Sequence, residues 1–420
     1  MNITIHRGAD QIGGCITEIS TDNCKVLIDL GANLPGSKRE ELTEQQIKKI
    51  AGDADAVFYT HYHGDHTGMH HLLPTEVRQY IGTGAKEVML CKYNTLKKHG
   101  DYNRQIATSE NMNTYRAGQR IDVGGKGKIH VTPYFISHSA FDAHMFEIEC
   151  DGKIILHTGD FRRHGYLGKG LFPTLQKFIG EVDILITEGT MLGRKQEKIL
   201  HENEIQQNVT KILKKHKYVF ALCSSTDIDR LASFQAACKT AGRVFIADEY
   251  QKNVLDIFSE HAGKKHPLFR FDPFRLINYK TGNVKRKLMN AGFLMPIRTS
   301  SYQLVKAMLD VYHDKEPWLI YSMWKGYAEE GKDYTVDSVV DIRKLFGNRI
   351  FDGTKAGVHT SGHADTQTLA DVCKTVNPRI GVIPIHKDVN TDYETLPEIS
   401  EYRIFRQGKT TIENISISIQ

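Results

Sequence analysis

Three imidazoles and one carboxylate stand within the six residues His61-Tyr62-His63-Gly64-Asp65-His66. Neutral imidazole and carboxylate are the donors that zinc and other borderline divalent cations take. The stretch follows the apolar run Val57-Phe58-Tyr59, so it is expected on a loop at the C-terminal end of a strand. Alternate residues of an extended turn can aim His61 and His63 at one cation while Asp65 and His66 reach a second. A polar loop whose histidines are satisfied by ordinary hydrogen bonds is the plainer reading. The density of the His-x-His-x-Asp-His cluster weighs against it.

Four donors do not complete two sites. Three further candidates share one grammar, a buried strand with a single ligand-type residue at its tip: His138 after Tyr134-Phe135-Ile136, Asp160 after Ile154-Ile155-Leu156, and His386 after Val382-Ile383-Pro384-Ile385. Any one alone reads more readily as a structural residue, and their common placement is what joins them to the cluster.

The elements that must carry these residues fall into two rhythms. The first half is built of short apolar runs broken by Gly and Asp, such as residues 25–29, 56–60, 153–157 and 183–187, the pattern of largely buried strands. From about residue 195 to 347 longer helical stretches alternate with strands. Residues 196–216 are amphipathic and charged, 218–223 a strand, 227–240 a helix, 243–247 a strand and 251–261 a helix. That alternation implies a small parallel α/β unit. From residue 350 onward short strands and loops return. Within the middle stretch, residues 279–287 form the clearest basic run, read as a solvated loop unless the substrate is a polyanion.

Composition sets wide bounds. The chain has 420 residues, 40% hydrophobic and 25% charged, enough for two or three ordinary globular domains and unlike collagen, coiled coil or a disordered chain. A net charge of +5 permits a polyanionic partner without demanding one. Seven scattered cysteines, odd in number and without a Cys-x-x-Cys pair, argue against a disulfide framework and for a reducing compartment. The first residues lack an apolar leader, and no run approaches the roughly 20 apolar residues of a membrane helix. A cytoplasmic protein with no membrane contact is expected.

In this order of residues the chain resembles the metallo-β-lactamase superfamily: His61, His63, Asp65 and His66, then His138, Asp160 and His386, with Asp29 in Ile28-Asp29-Leu30-Gly31 matching an early acidic residue that supports the ligands from behind. It resembles most the β-CASP branch, which contains ribonuclease J and the cleavage/polyadenylation endonuclease. Glu188 in Thr187-Glu188-Gly189-Thr190 and His363 in His359-Thr360-Ser361-Gly362-His363-Ala364 match that branch's added motifs. The second stretch is closer to ribonuclease J, the first to the endonuclease-like members. The resemblance implies an α/β protein, a metallo-β-lactamase αββα sandwich divided between residues 1–195 and 349–420, with a β-CASP α/β domain inserted at 196–348. Two departures stand out. Lys387 replaces the Gly that often follows the last His, and only 34 residues follow His386, so no counterpart of ribonuclease J's extra C-terminal domain is expected.

The same resemblance implies two divalent metal ions per chain, zinc with manganese as the alternative. His61, His63 and His138 would hold one, Asp65, His66 and His386 the other, and Asp160 would bridge them. Asp65, His363 and Glu188 make the implied catalytic set, with His363 as general acid oriented by Glu188. His359 and Ser361 match groups that receive a phosphate. Ser224 and Ser225, at a strand–helix junction, are further phosphate candidates, although a simple helix cap is the readier explanation of that Ser-Ser-Thr. The expected activity is hydrolysis of RNA phosphodiesters, from the 5′ end, internally or both. A DNA nuclease, a small-molecule metallo-hydrolase and a non-catalytic nucleic-acid-binding subunit are the alternatives. RNA is the expected partner and DNA the substitute, and self-association is left open.

Overall fold

A computed structural model describes residues 1–125, 128–194, 198–277, 279–391 and 393–420. The boundary expected between residues 195 and 196 lies outside the described residues.

Two mixed sheets face each other. The first runs, strand by strand, Gly408–Ile412, Ile415–Ile419, Asn2–Arg7, Ile16–Ser20, Lys25–Ile28, Ala56–Phe58, Arg78–Gly82, Asn113–Tyr115. The second runs Gly381–Ile385, Ile184–Glu188, Lys153–His157, His144–Cys150, Ile129–Phe135, Ile121–Val123. Between them lies a core in which Ile3, Val26, Phe58, Phe146, Ile155 and Ile186 are all fully buried. Because strand side chains alternate, Leu156 and Leu185 point the other way, into a second core under the helix Thr366–Val376. The helices Glu44–Ala51 and Thr83–Leu96 cover the outer face of the first sheet through Ile47 and Val88. This is the αββα sandwich of the metallo-β-lactamase fold.

A third sheet is entirely parallel, in the order Phe274–Arg275, Val244–Ala247, Phe293–Ile297, Tyr218–Leu222, Trp318–Tyr321, Ile350–Asp352. The run Tyr218–Leu222 is apolar throughout because both its faces are covered. Val219 and Ala221 meet the helices Glu202–Lys215 and Ile228–Ala241, while Phe220 and Leu222 meet the helices on the opposite side. In parallel α/β sheets ligand groups gather past the carboxyl ends of the strands. Three such tips here carry Cys223-Ser224, Arg298 and Ser322, and all three line one cavity.

The sequence misplaced one element. The basic run read as a loop contains the helix Gly282–Ala291, on which Lys285, Arg286 and Lys287 sit around the buried Leu288. One apolar anchor per turn is enough to order a polar segment. The run does not line the cavity.

Candidate metal centre

His61, His63, Asp65 and His66 sit where sequence spacing put them, just after the strand Ala56–Phe58 and running into the single helical turn Gly64–Thr67. His138 follows Ile129–Phe135, Asp160 follows Lys153–His157, and His386 follows Gly381–Ile385. Strands of both sandwich sheets thus deliver seven side chains to one edge.

Two of the resulting groups could each hold a cation. Ligand atoms of His61, His63 and His138 lie within 4.8 Å of one another, as do those of Asp65, His66, Asp160 and His386. Within the second group His386 Nε2 is 3.2 Å from Asp65 Oδ2, and His66 Nε2 is 3.1 Å from Asp160 Oδ2. Asp160 also faces the first group, its Oδ2 lying 4.0 Å from His138 Nε2.

Hydrogen bonds behind the rings decide which nitrogen is bare. His138 Nδ1 donates to the Gly362 carbonyl at 2.7 Å, so Nε2 carries the lone pair. His66 Nδ1 donates to Asp29 Oδ2 at 2.7 Å. Thr60 Oγ1 donates to Asp29 and is left to accept from His61 Nδ1 at 3.0 Å. Thr190 repeats the device: its hydroxyl donates to the His386 carbonyl and accepts from His386 Nδ1 at 2.7 Å. Each ring therefore turns its Nε2 lone pair inward. His61 Nε2 and Asp160 Oδ1 are buried with no hydrogen-bond partner among the described residues. Buried acceptors converging without donors fit divalent cations.

Electrostatics agree for the first group. Burial drives His61 and His138 well below the ordinary imidazole pKa and His63 to about 4, so these rings are neutral, as ligation requires. Burial opposes the charge on His66 too, but Asp160, Asp29 and Asp65 outweigh it and raise its pKa. Asp29 and His386 adopt left-handed φ values of 62° and 50°, strain of the kind held at functional sites. Gly31 has no alternative, since a Cβ there would sit 1.7 Å from the Asp65 carbonyl oxygen.

Glu188 and His363 also meet at the centre. His363 Nδ1 donates to Glu188 Oε2 at 2.8 Å and lies 3.7 Å from Asp160 Oδ2. The other Glu188 oxygen accepts from the Phe161 amide at 2.9 Å, fixing the fully buried carboxylate. Burial penalises charge on His363, yet Glu188 and Asp160 prevail and raise its pKa.

His359, Ser361, Ser224 and Ser225 line the same cavity of about 430 Å³ as His63, Asp65 and His363. The cap reading of Ser224 and Ser225 fails. Asp227 caps the helix Ile228–Ala241, accepting from the Arg230 amide at 3.2 Å. Ser361 Oγ accepts from the His363 amide at 3.1 Å, and burial with Arg230 nearby pushes His359 down to about 3. Lys387 does not line this cavity; its Nζ approaches the Asp388 carbonyl at 3.4 Å.

Sequence reasoning missed Thr190, Arg194, Arg230 and Arg298, which all line the cavity. The strand-tip rule used for the histidines would have found Arg298, the residue after Phe293–Ile297. Arg230 lies inside a helix and gave no such signal. It belongs to a fully buried ion network with Glu202, Asp227, Asp229 and Arg162, two residues past Asp160.

Comparison with known proteins bears on the same residues. Residues 25–218 match the model of the beta-lactamase superfamily domain. An RNase J-like protein of Methanocaldococcus jannaschii is 26% identical over 193 residues, which is 45% of this chain and 42% of that protein, so the match spans less than half of the relative's length. A crystal structure of a protein of unknown function from Enterococcus faecalis V583 superposes with a TM-score of 0.69 at 15% identity, covering 97% of each chain. Among the described residues no helix is long and apolar enough to cross a membrane.

Proposed function

We propose that this protein, which carries a beta-lactamase superfamily domain across residues 25–218, is a two-metal nuclease that hydrolyses RNA phosphodiesters. One observation carries the reading: the imidazole and carboxylate cluster shares a cavity with hydroxyl and guanidinium groups from the third sheet, among them Ser224, Ser225, Arg230 and Arg298. A metal edge facing guanidinium and hydroxyl groups suits a phosphodiester.

In this reading the third sheet and its helices form an inserted β-CASP domain closing the cavity over the sandwich edge; its last strand is Ile350–Asp352, past the boundary expected at residue 348. His61, His63 and His138 hold one ion, Asp65, His66 and His386 the other, and Asp160 faces both. Bound there, zinc or manganese supplies Lewis-acid polarisation of the phosphoryl group and activation of the attacking water. Asp65 accepts hydrogen bonds at the attacking side. His363, its Nδ1 proton held by Glu188, presents Nε2 to the leaving 3′-oxygen and donates a proton there. His359 and Ser361 receive a phosphate beside that acid. A pocket so close to the metals favours a 5′-monophosphate end, giving stepwise removal from that end.

The test is incubation of purified protein, with zinc or manganese, with end-labelled 5′-monophosphate RNA, 5′-triphosphate RNA and matching DNA. Metal-dependent cleavage of RNA, fastest from the monophosphate end, is expected. Cleavage of DNA alone reassigns the substrate. Hydrolysis of thioesters or lactones with neither nucleic acid cut overturns the proposal, and rapid cutting of circular RNA overturns the end preference.

A further inference from the structure

The cavity has a third wall that neither the metal cluster nor the phosphate groups use. Past the strand Trp318–Tyr321 the chain turns through the 3-10 segment Lys325–Ala328, which brings Trp324 and Tyr327 to the cavity together with Tyr334 and Arg194. All four are only partly buried. The Arg194 guanidinium lies over the indole of Trp324, 4.0 Å from its centroid. Tyr327 stands edge-on to Trp324 at 5.4 Å and Tyr334 is tilted at 6.0 Å. The indole is held from below: a Cβ on Gly326 would fall 2.3 Å from the ring, so only glycine fits there. The indole Nε1–H is buried with no acceptor among the described residues.

Rings that only pack one another belong in a sealed core. These instead border open space, in the same cavity that His63, Asp65 and His363 line. A planar guanidinium on an indole offers a flat cationic face, and such faces stack on the π-surfaces of bases while their charge favours the adjoining phosphate.

We infer that Trp324, Arg194, Tyr327 and Tyr334 form a stacking subsite for one nucleobase, that of the nucleotide whose phosphate lies at the metal cluster. The inference rests on the nuclease reading and deepens it. The subsite accepts any of the bases, because each has a π-face and stacking carries the contact. It also demands single-stranded substrate, since a paired base cannot leave its stack to lie against the wall.

Fluorescence isolates the subsite. The chain has two tryptophans. Trp318 packs at the opposite end of its strand against His216 and Phe351, at 4.4 and 4.9 Å. In Trp318→Phe protein the emission reports Trp324 alone. Titration with adenosine 5′-monophosphate is expected to quench it saturably, with binding ~10-fold or more tighter than ribose 5-phosphate measured by competition. Equal binding of the two overturns the subsite and leaves phosphate recognition, and with it the nuclease reading, standing. Failure of both to bind, together with no cleavage of RNA, removes both. Wild-type protein supplies a check that needs no variant. RNA bearing one abasic residue beside the cut is expected to be cleaved at that bond ~10-fold or more slowly than intact RNA, and equal rates overturn the inference.

Discussion

Two buried polar clusters meet at Asp160-Phe161-Arg162, and they are built on opposite principles. On one side imidazoles gather: His61, His63 and His138 converge, and His66 and His386 converge with the carboxylates Asp65 and Asp160. On the other side opposites meet. Arg162 reaches Asp227 at 2.7 Å and Asp229 at 3.2 Å, and Arg230 binds Glu202 at 2.9 Å. The second cluster pairs guanidinium with carboxylate and joins the sandwich to the third sheet. The first gathers imidazole and carboxylate acceptors with no Lys or Arg side chain among them, a set that could hold cations. Both are buried, so the presence of buried charge does not mark a functional site. What marks it is the convergence of acceptors.

Four experiments bear on that contrast. The largest effect is expected at Asp160, which faces both groups of ligands. Wild-type protein is expected to take up about two ions per chain, and Asp160→Ala to lose most of that metal and all activity. Elemental analysis of chelator-free protein decides it, and a wild type that takes up no transition metal would undo the whole assignment. Next comes His363→Ala, expected to slow turnover by ~10²–10⁴, the range of a general acid, with metal content near normal. Metal loss equal to that of His61→Ala would instead make His363 a ligand.

The ion network should respond in stability and not in metal content. Glu202→Gln leaves Arg230 buried with a weakened partner, and a loss of about 3–5 kcal/mol is expected in urea unfolding. Unchanged stability would show that the network is not what joins the two parts. The smallest effect is expected at Asp229. Burial raises its pKa to about 7, with Asp227 and Glu202 adding to the rise against Arg162. Between the unfolded value near 4 and pH 7 the folded state then holds a proton that the unfolded state has lost, so this residue makes the protein less stable as pH rises through that window. Asp229→Asn, which resembles the protonated form, should lose that slope and gain on wild type between pH 4 and pH 7, at most about 1.4 kcal/mol for each pKa unit. Parallel stability curves for the two proteins would show that Asp229 titrates normally.

How much of this was written in the sequence follows from the range of each interaction. Asp29, the His61–His66 cluster, His138, Asp160 and His386 were legible because each stands at or just past a strand's C-terminal tip, and strands announce themselves by local apolar runs. The fold class followed from the order of those ligands and from the change of rhythm after residue 195. Composition left location and self-association as expectations only. Residues 195–197 lie outside the described residues.

Tertiary structure decided the rest. That Asp227 and not Ser224 caps its helix depended on backbone angles that a Ser-Ser-Thr-Asp string does not specify. The basic run at 285–287 became a helix because Leu288 found a core to enter. Glu202 meets Arg230 28 positions away, Arg194 lies on Trp324, and Thr190 fixes a histidine 196 positions away. None of these pairs has a sequence period, because they form between elements whose approach is set by the four cores of the described residues. Hence the sequence by itself determined which residues this protein offers to a metal, while only the tertiary structure decided which lone pairs face inward, which charges cancel, and which aromatic rings border the space between them.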